Sequence, residues 1–419
     1  MTDVDVDIAI VGGGPVGLFA AAALAQRGLE VAVFERRPTE REHSRAIGIH
    51  PPALAALERI GVAERVIAAG VRIDRGILRI GGESRAELDF AEAGGRFPFV
   101  VSLPQVETER ILRARLAELA PRALRAGATV ERFERRAAGV TVLVRHGEGA
   151  LERVAARFVV GADGAGSLVR AAARIPSERH DYPYRYVMGD FADSTGDGPT
   201  AVLHLHPDGI VESFPLPGGR RRWVTHVPDG AADGPAQGGA GAGAEAGAEA
   251  DARARGGAGD TDLAGTPSAA LVARLIAERI GDGAAPDAAT ATMTSAFGVR
   301  RRIVPRMADG RMIVIGDAAH EVSPIGGQGM NLGWLDADAL ADLAPGLLAN
   351  PSGARALLAG FERRRLHSAR TASRVAEFNM SMGSPCNAAT FALRGLVVTA
   401  ADRGAVRRRL ARAFTMQGL

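Results

Sequence analysis

The chain contains no lysine, so all 51 of its basic residues are arginine. That absence excludes Schiff-base catalysis and the phosphate-binding lysine of a P-loop. Cysteine is almost as scarce, with Cys386 alone in 419 residues. One cysteine allows neither an internal disulfide nor a cysteine-rich metal site, and it suits the reducing conditions of the cytoplasm. No apolar run reaches the ~18–20 residues that a membrane span requires. The first residues are acidic where a secretory leader would be basic, so no export signal is expected. The net charge of +3 is spread along the chain without a basic block, which gives no support to nucleic-acid binding.

What is present begins with glycine. Val6–Val11 is a short continuous apolar run of the kind that forms a strand buried on both faces, and it leads directly into Gly12-Gly13-Gly14-Pro15-Val16-Gly17. An Ala- and Leu-rich helix is predicted over 18–27, and a second strand over 30–34, ending at Glu35. Strand, Gly12-x-Gly14-x-x-Gly17 and helix together form a dinucleotide-binding fingerprint. In it Gly12 makes the turn, Gly14 lets a pyrophosphate approach the backbone, and Gly17 permits close helix packing. Glu35 stands 18 residues beyond Gly17, where a carboxylate can accept hydrogen bonds from ribose hydroxyls. These residues alone do not separate FAD from NAD.

Helical periodicity is expected over 53–60 and 107–119, and strands over 73–90, 141–144 and 158–160. Runs at 186–191, 201–205, 210–214 and 222–227, separated by turn residues, read as an antiparallel meander. Residues 229–267 are rich in Gly, Ala, Asp and Glu, and a disordered surface loop is expected there. A buried strand at 312–315 precedes Gly316-Asp317, and a helix is predicted from about 330 to 343. Amphipathic helices over 354–378 and 387–413 are expected to form a tail on the nucleotide domain.

All three tyrosines, Tyr182, Tyr184 and Tyr186, alternate and share one face if extended. Substrate contact at Tyr184 and Tyr186 is one reading, and packing beneath a sheet is the favoured one. His204 and His206 alternate too, but without a third ligand in view they do not form a metal site.

Two further segments resolve the cofactor. Gly161-Ala162-Asp163-Gly164, with Ser167, resembles the "DG" motif of flavoprotein hydroxylases of the para-hydroxybenzoate hydroxylase type. Gly316-Asp317-Ala318-Ala319-His320, followed by Pro324-Ile325-Gly326-Gly327-Gln328-Gly329-Met330-Asn331, resembles their "GD" motif. The resemblance implies FAD, with Asp317 on its ribitol chain, Arg45 and Gln105 among its contacts, and Asp163, beside Gly164 of the same cofactor motif, linked to both flavin and pyridine nucleotide. Arg36 is expected at FAD because it follows the strand that ends at Glu35. It sets Gly327, Gly329, Met330 and Asn331 at a helix start facing the flavin's pyrimidine edge, with Pro324 beside the reactive face of the ring. A plain loop constraint is an equal reading of Pro324.

The expected architecture is α/β. A Rossmann-type FAD-binding domain would assemble from residues 1–72, 101–181 and 288–350. A smaller antiparallel-sheet substrate domain would come from 73–100 and 182–287, and a helical tail from 351–419. The implied activity is single-component monooxygenation. NADPH or NADH reduces the flavin, O2 adds to give a flavin hydroperoxide, and an organic substrate, usually aromatic, is oxygenated. The cofactor carries the hard step, which accounts for the missing triad or metal cluster. A halogenase would need an active-site lysine and a Trp-x-Trp-x-x-Pro motif, neither of which is present. A reductase or oxidase of the same fold and a flavin-free binding protein stand as alternatives. The expected form is one without a thioredoxin-like C-terminal domain.

Overall fold

A computed structural model describes residues 5–40, 46–147, 149–228, 266–323, 326–350, 353–401 and 404–418. The expectations for Arg45, Pro324 and residues 229–265 of the predicted loop lie outside those residues.

The chain folds as an α/β structure around two large sheets, each of eight strands. The first is parallel at its centre, in the spatial order Met312–Val314, Leu151–Gly161, Val6–Val11, Val31–Glu35, Leu124–Ala126. Its central strands read as uninterrupted apolar runs because helices cover both faces: Ile8, Ala9, Ile10, Val33, Val159 and Val160 are all buried. An antiparallel ribbon, Ala128–Arg135 with Val140–His146, extends from strand Leu151–Gly161. Helix Pro15–Ala25 packs on this sheet, with Ala20 to Ala23 almost completely buried. Small side chains there let helix and strands approach closely.

The second sheet runs in the order His320–Glu321, Met293–Ile303, Arg179–Ala192, Arg220–His226, Val211–Leu216, Ala201–Leu205, Arg75–Ile80, Glu83–Asp89. The expected meander forms its centre. Two differences follow from pairing that sequence does not display. Ala201–Leu205 pairs with Arg75–Ile80 in parallel, and strand Met293–Ile303 pairs along most of Arg179–Ala192. The division at residue 288 assigned Met293–Ile303 to the nucleotide domain, but its hydrogen bonds join it to the second sheet.

One face of the second sheet is covered by helix Ala269–Ile280, whose Val272, Leu275 and Ile276 pack against Val187, Phe191, Val211 and Trp223. The spacing of those three is an ordinary amphipathic signal. The opposite face looks across a cleft to the nucleotide-binding sheet.

The tail also differs from expectation. Helix Gln328–Ala349 continues through Pro345, six residues past the predicted end at 343, and Ala354–Gly383 packs beside it. The last two helices, Ala388–Ala401 and Gly404–Phe414, turn away from the nucleotide sheet and pack against Glu83–Asp89. Phe414 stacks on Phe90 with ring centroids 5.2 Å apart, and Gln417 Nε2 donates to the Gly94 carbonyl at 2.6 Å. Among the described residues, no helix is long and apolar enough to cross a membrane.

Candidate active site

The fingerprint glycines differ in what surrounds them. Gly12 adopts φ +103°, and a Cβ there would fall 2.4 Å from the Ala162 carbonyl oxygen. A Cβ on Gly17 would lie 1.9 Å from the Gly12 carbonyl oxygen, so only glycine lets the helix begin this close to its strand. Around Gly14 there is no atom within 4 Å of such a Cβ among the described residues. Open space therefore meets the N-terminus of helix Pro15–Ala25, the arrangement that receives phosphate charge.

Glu35 is 5% exposed at the end of its strand. Its Oε2 accepts from Gly13 N at 2.7 Å, and its Oε1 from Arg37 N at 3.0 Å and Arg37 Nε at 2.8 Å. Burial works against the charged form, but the bonds from Arg37 and Gly13 outweigh it and hold the carboxyl below its ordinary range. A carboxylate has about four acceptor positions. Three are used here, leaving one for a ligand hydroxyl.

Asp163 caps the next turn. Ser167 Oγ donates to its Oδ1 at 2.5 Å and Val169 N to its Oδ2 at 3.1 Å, while burial pushes its pKa up. Arg170 ties this loop to the next motif by donating to the carbonyls of Ala165 at 2.7 Å and Ala318 at 3.0 Å. Asp317 follows Gly316 in a short 3-10 turn and is exposed to the cleft.

The start of helix Gln328–Ala349 is anchored by Asn331. Its Oδ1 accepts from His50 N at 2.9 Å, and its Nδ2 donates to the carbonyls of Gly48 at 2.9 Å and Gly327 at 2.8 Å. His50 Nε2 lies 3.1 Å from the Gly326 carbonyl, and burial pulls this histidine down to about 4, so it is neutral. Sequence reasoning missed His50, which clamps the glycine loop from the far end of the chain.

These motifs converge on one cleft of about 1390 Å³, larger than the ~300–1,000 Å³ of an ordinary small-ligand pocket. Gly12, Gly14, Pro15 and Val16 line one end with Glu35 and Arg36. Gln105, Asp163 and Gly164 continue along the wall, and Asp317, Gly327, Gly329 and Met330 lie farther in. Gly17, Gly316 and Asn331 do not line it; they shape the backbone behind it. Neither Tyr184 nor Tyr186 lines it either. Tyr186 is fully buried and stacked on Phe297 at 5.7 Å, and Tyr184 lies partly buried beside Tyr182 at a separate small hollow. The geometry gives no place to the substrate reading of those two tyrosines. Beyond the motif residues the cleft opens into a mostly apolar chamber between the second sheet and the tail, where Leu203, Phe214, Val224, Val398, Leu410 and Phe414 meet.

A family model described as "FAD binding domain" matches residues 5–237 and 266–376. The chain belongs to this family. The FAD-binding chain is 31% identical over 348 residues to an uncharacterized aromatic compound monooxygenase of Bacillus subtilis, covering 81% of this chain and 63% of that protein. It thus spans less than two thirds of that relative's length. A p-nitrophenol 4-monooxygenase from Pseudomonas putida has the same fold, with TM-score 0.80, 23% identity, and coverage of 100% of this chain and 99% of that one. An anhydrotetracycline hydroxylase from Streptomyces rimosus superposes with TM-score 0.75 at 27% identity, over 99% of this chain and 76% of that one.

The residues present fit FAD. The unfilled space at Gly14 suits a pyrophosphate, Glu35 keeps an acceptor for a ribose hydroxyl, and Asp317 is exposed along the same cleft as an acceptor for a polyol. The helix beginning at Gln328 directs its positive end toward that cleft.

Proposed function

We propose that the FAD-binding chain is a monooxygenase that takes electrons from NADPH or NADH and uses O2 to hydroxylate, or otherwise oxygenate, an aromatic or polycyclic small molecule. The reading rests above all on the single cleft that joins a dinucleotide cradle to an apolar chamber. FAD, when bound, supplies the electron transfer and oxygen activation that no side chain here can provide.

The chain's own residues bind, orient and exclude water. The N-terminus of helix Pro15–Ala25 offers backbone N–H groups to the pyrophosphate, and Glu35 and Asp317 accept from the ribose and ribitol hydroxyls. The helix start at Gln328 would favour negative charge on a flavin held in the cleft. Leu203, Phe214 and Phe414 keep the chamber dry, which protects reactive species from water. Pro324 and Arg45 belong to the proposed cofactor contacts on the resemblance described above, and Arg36 on its place in the cleft after the strand that ends at Glu35. A single cysteine in 419 residues supports a cytoplasmic location.

The test is anaerobic reduction of the FAD-loaded protein by NADH and NADPH, with and without a panel of phenols, followed by O2. Reduction by either nucleotide and recovery of an oxygenated phenol would support monooxygenation. Failure of both nucleotides under every condition would redirect the assignment to an oxidase or a reductase with another electron donor.

A further inference from the structure

The second sheet turns one face to the cleft, and strand register determines which residues stand there. Directly paired residues on neighbouring strands point to the same side. One transverse row is built from the pairs Ser295–Met188, Met188–Val224, Val224–Glu212, Glu212–Leu203 and Leu203–Leu78. All six residues line the cleft. Glu212 is the only ionisable group in that row.

The residue is 5% exposed, and none of the described residues hydrogen-bonds to its carboxylate or forms an ion pair with it. Burial alone pushes it up to about 7. The adjacent row contains an arginine, in the pairs Asp190–Arg222 and Arg222–Phe214. That arginine is already matched, because Nε donates to Asp190 Oδ1 at 2.6 Å and Nη2 to Oδ2 at 2.8 Å. The other arginine on the chamber wall, Arg300, pairs with Asp181 at 3.4 Å. On the other side of the row stands Tyr186, whose hydroxyl is pushed up by burial and by the charge of Glu212, and has no partner among the described residues.

A buried carboxylate without a partner is unfavourable unless a ligand supplies one. We propose that Glu212 is the substrate anchor: its carboxylate accepts a hydrogen bond from a hydroxyl on an otherwise apolar aromatic molecule and so sets the orientation of the ring in the chamber. This rests on the small-molecule oxygenation reading above. It also names the substrate class, a neutral hydroxyarene. An aromatic acid would bring a second negative charge to a chamber whose arginines are both engaged, and an ether would leave the carboxylate unpaired.

The experiment titrates full-length, FAD-loaded protein at pH 8 with 1-naphthol, 1-methoxynaphthalene and 1-naphthoate, reading the perturbation of the bound flavin's absorbance. Wild type should bind 1-naphthol at least about tenfold more tightly than either analogue, the discrimination expected where a site's polar group is otherwise left unpaired. Glu212→Leu should remove that preference, with the methyl ether binding as well as the naphthol. Glu212→Gln keeps a carbonyl acceptor and should retain part of it, and it serves alone if the leucine variant does not fold. An unchanged ranking in both variants, or no naphthol preference in wild type, would overturn the inference. Reduction of the flavin by NAD(P)H is read on the same samples. Intact reduction with no naphthol preference removes the role of Glu212 and leaves the flavoenzyme reading standing; absent reduction counts against that reading itself.

Discussion

Oδ2 of Asp336 lies 2.6 Å from Nε2 of His320, and both side chains are fully buried. The same carboxylate accepts from Gly316 N at 3.0 Å and from Arg365 Nε at 2.8 Å. Asp336 thereby fixes the backbone immediately before Asp317 and joins it to helix Ala354–Gly383. Burial opposes its charge, but His320 and Arg365 outweigh that and hold its carboxyl low.

Asp336→Asn should therefore destabilise the protein by roughly 3–5 kcal/mol, because it leaves buried Arg365 without its counter-charge and weakens the bond to His320. Urea denaturation measures the loss. A change under about 1 kcal/mol would mean that the network does not hold the loop.

Two glycines of one motif should fail differently. Gly17→Ala must displace the Gly12 carbonyl, and a loss of about 1–3 kcal/mol is expected from such overpacking. Gly14→Ala meets open space in the protein and should melt like wild type, yet it should bind FAD at least about tenfold more weakly because its methyl enters the phosphate approach. Thermal melts of the apoproteins and FAD titration separate the two effects; equal FAD affinity in Gly14→Ala and wild type would contradict the cradle.

Asp317→Ala should lose FAD while staying folded, since the carboxylate is exposed to the cleft rather than packed in the core. Surface changes of this kind usually shift stability by no more than about 0.5 kcal/mol. Flavin content of the purified variant is the measurement, and wild-type occupancy would reject the ribitol role.

Glu212 carries a pH signature in the ligand-free protein. Its folded pKa of about 7 exceeds the reference 4.5, so between those values the unfolded chain releases a proton that the folded chain keeps, and wild-type stability falls as pH rises. Glu212→Gln escapes this linkage. Its advantage over wild type should be smallest below about pH 4.5 and grow to roughly 3 kcal/mol above about pH 7. Parallel urea curves at pH 5 and pH 8 test it; a constant difference would mean that the carboxyl titrates normally.

The nucleotide-binding half was legible because each of its parts leaves a local mark. Val6–Val11, the three fingerprint glycines and Glu35 lie within 30 residues of one another, and the geometry they require is written in glycine and apolar runs. The chamber was not legible, for the opposite reason. In Val211–Leu216, Glu212 alternates with Val211 as an outward-facing polar residue would, and only the helix Ala269–Ile280 on one side and the cleft on the other make both faces interior. Asn331 was expected at the flavin; its amide bonds Gly327 one turn back, and also His50 and Gly48, whose segment lies 281–283 residues away in a contact that spacing does not reveal. Leu410 and Phe414 read as one stripe of an arginine-rich amphipathic helix, and nothing local says that the stripe faces a cavity.

The floor and the far wall of the chamber are bound by different rules. Floor residues such as Val224 and Leu203 are locked by ladder pairing, where a shift of one position turns every side chain over. Leu410 and Phe414 stand on a helix whose backbone bonds are satisfied within itself, so its inward side chains can be exchanged one at a time without disturbing a neighbour's alignment. Variation that retunes the shape of the chamber is thus channelled into the last two helices, while the sheet preserves the direction from which a ligand is held.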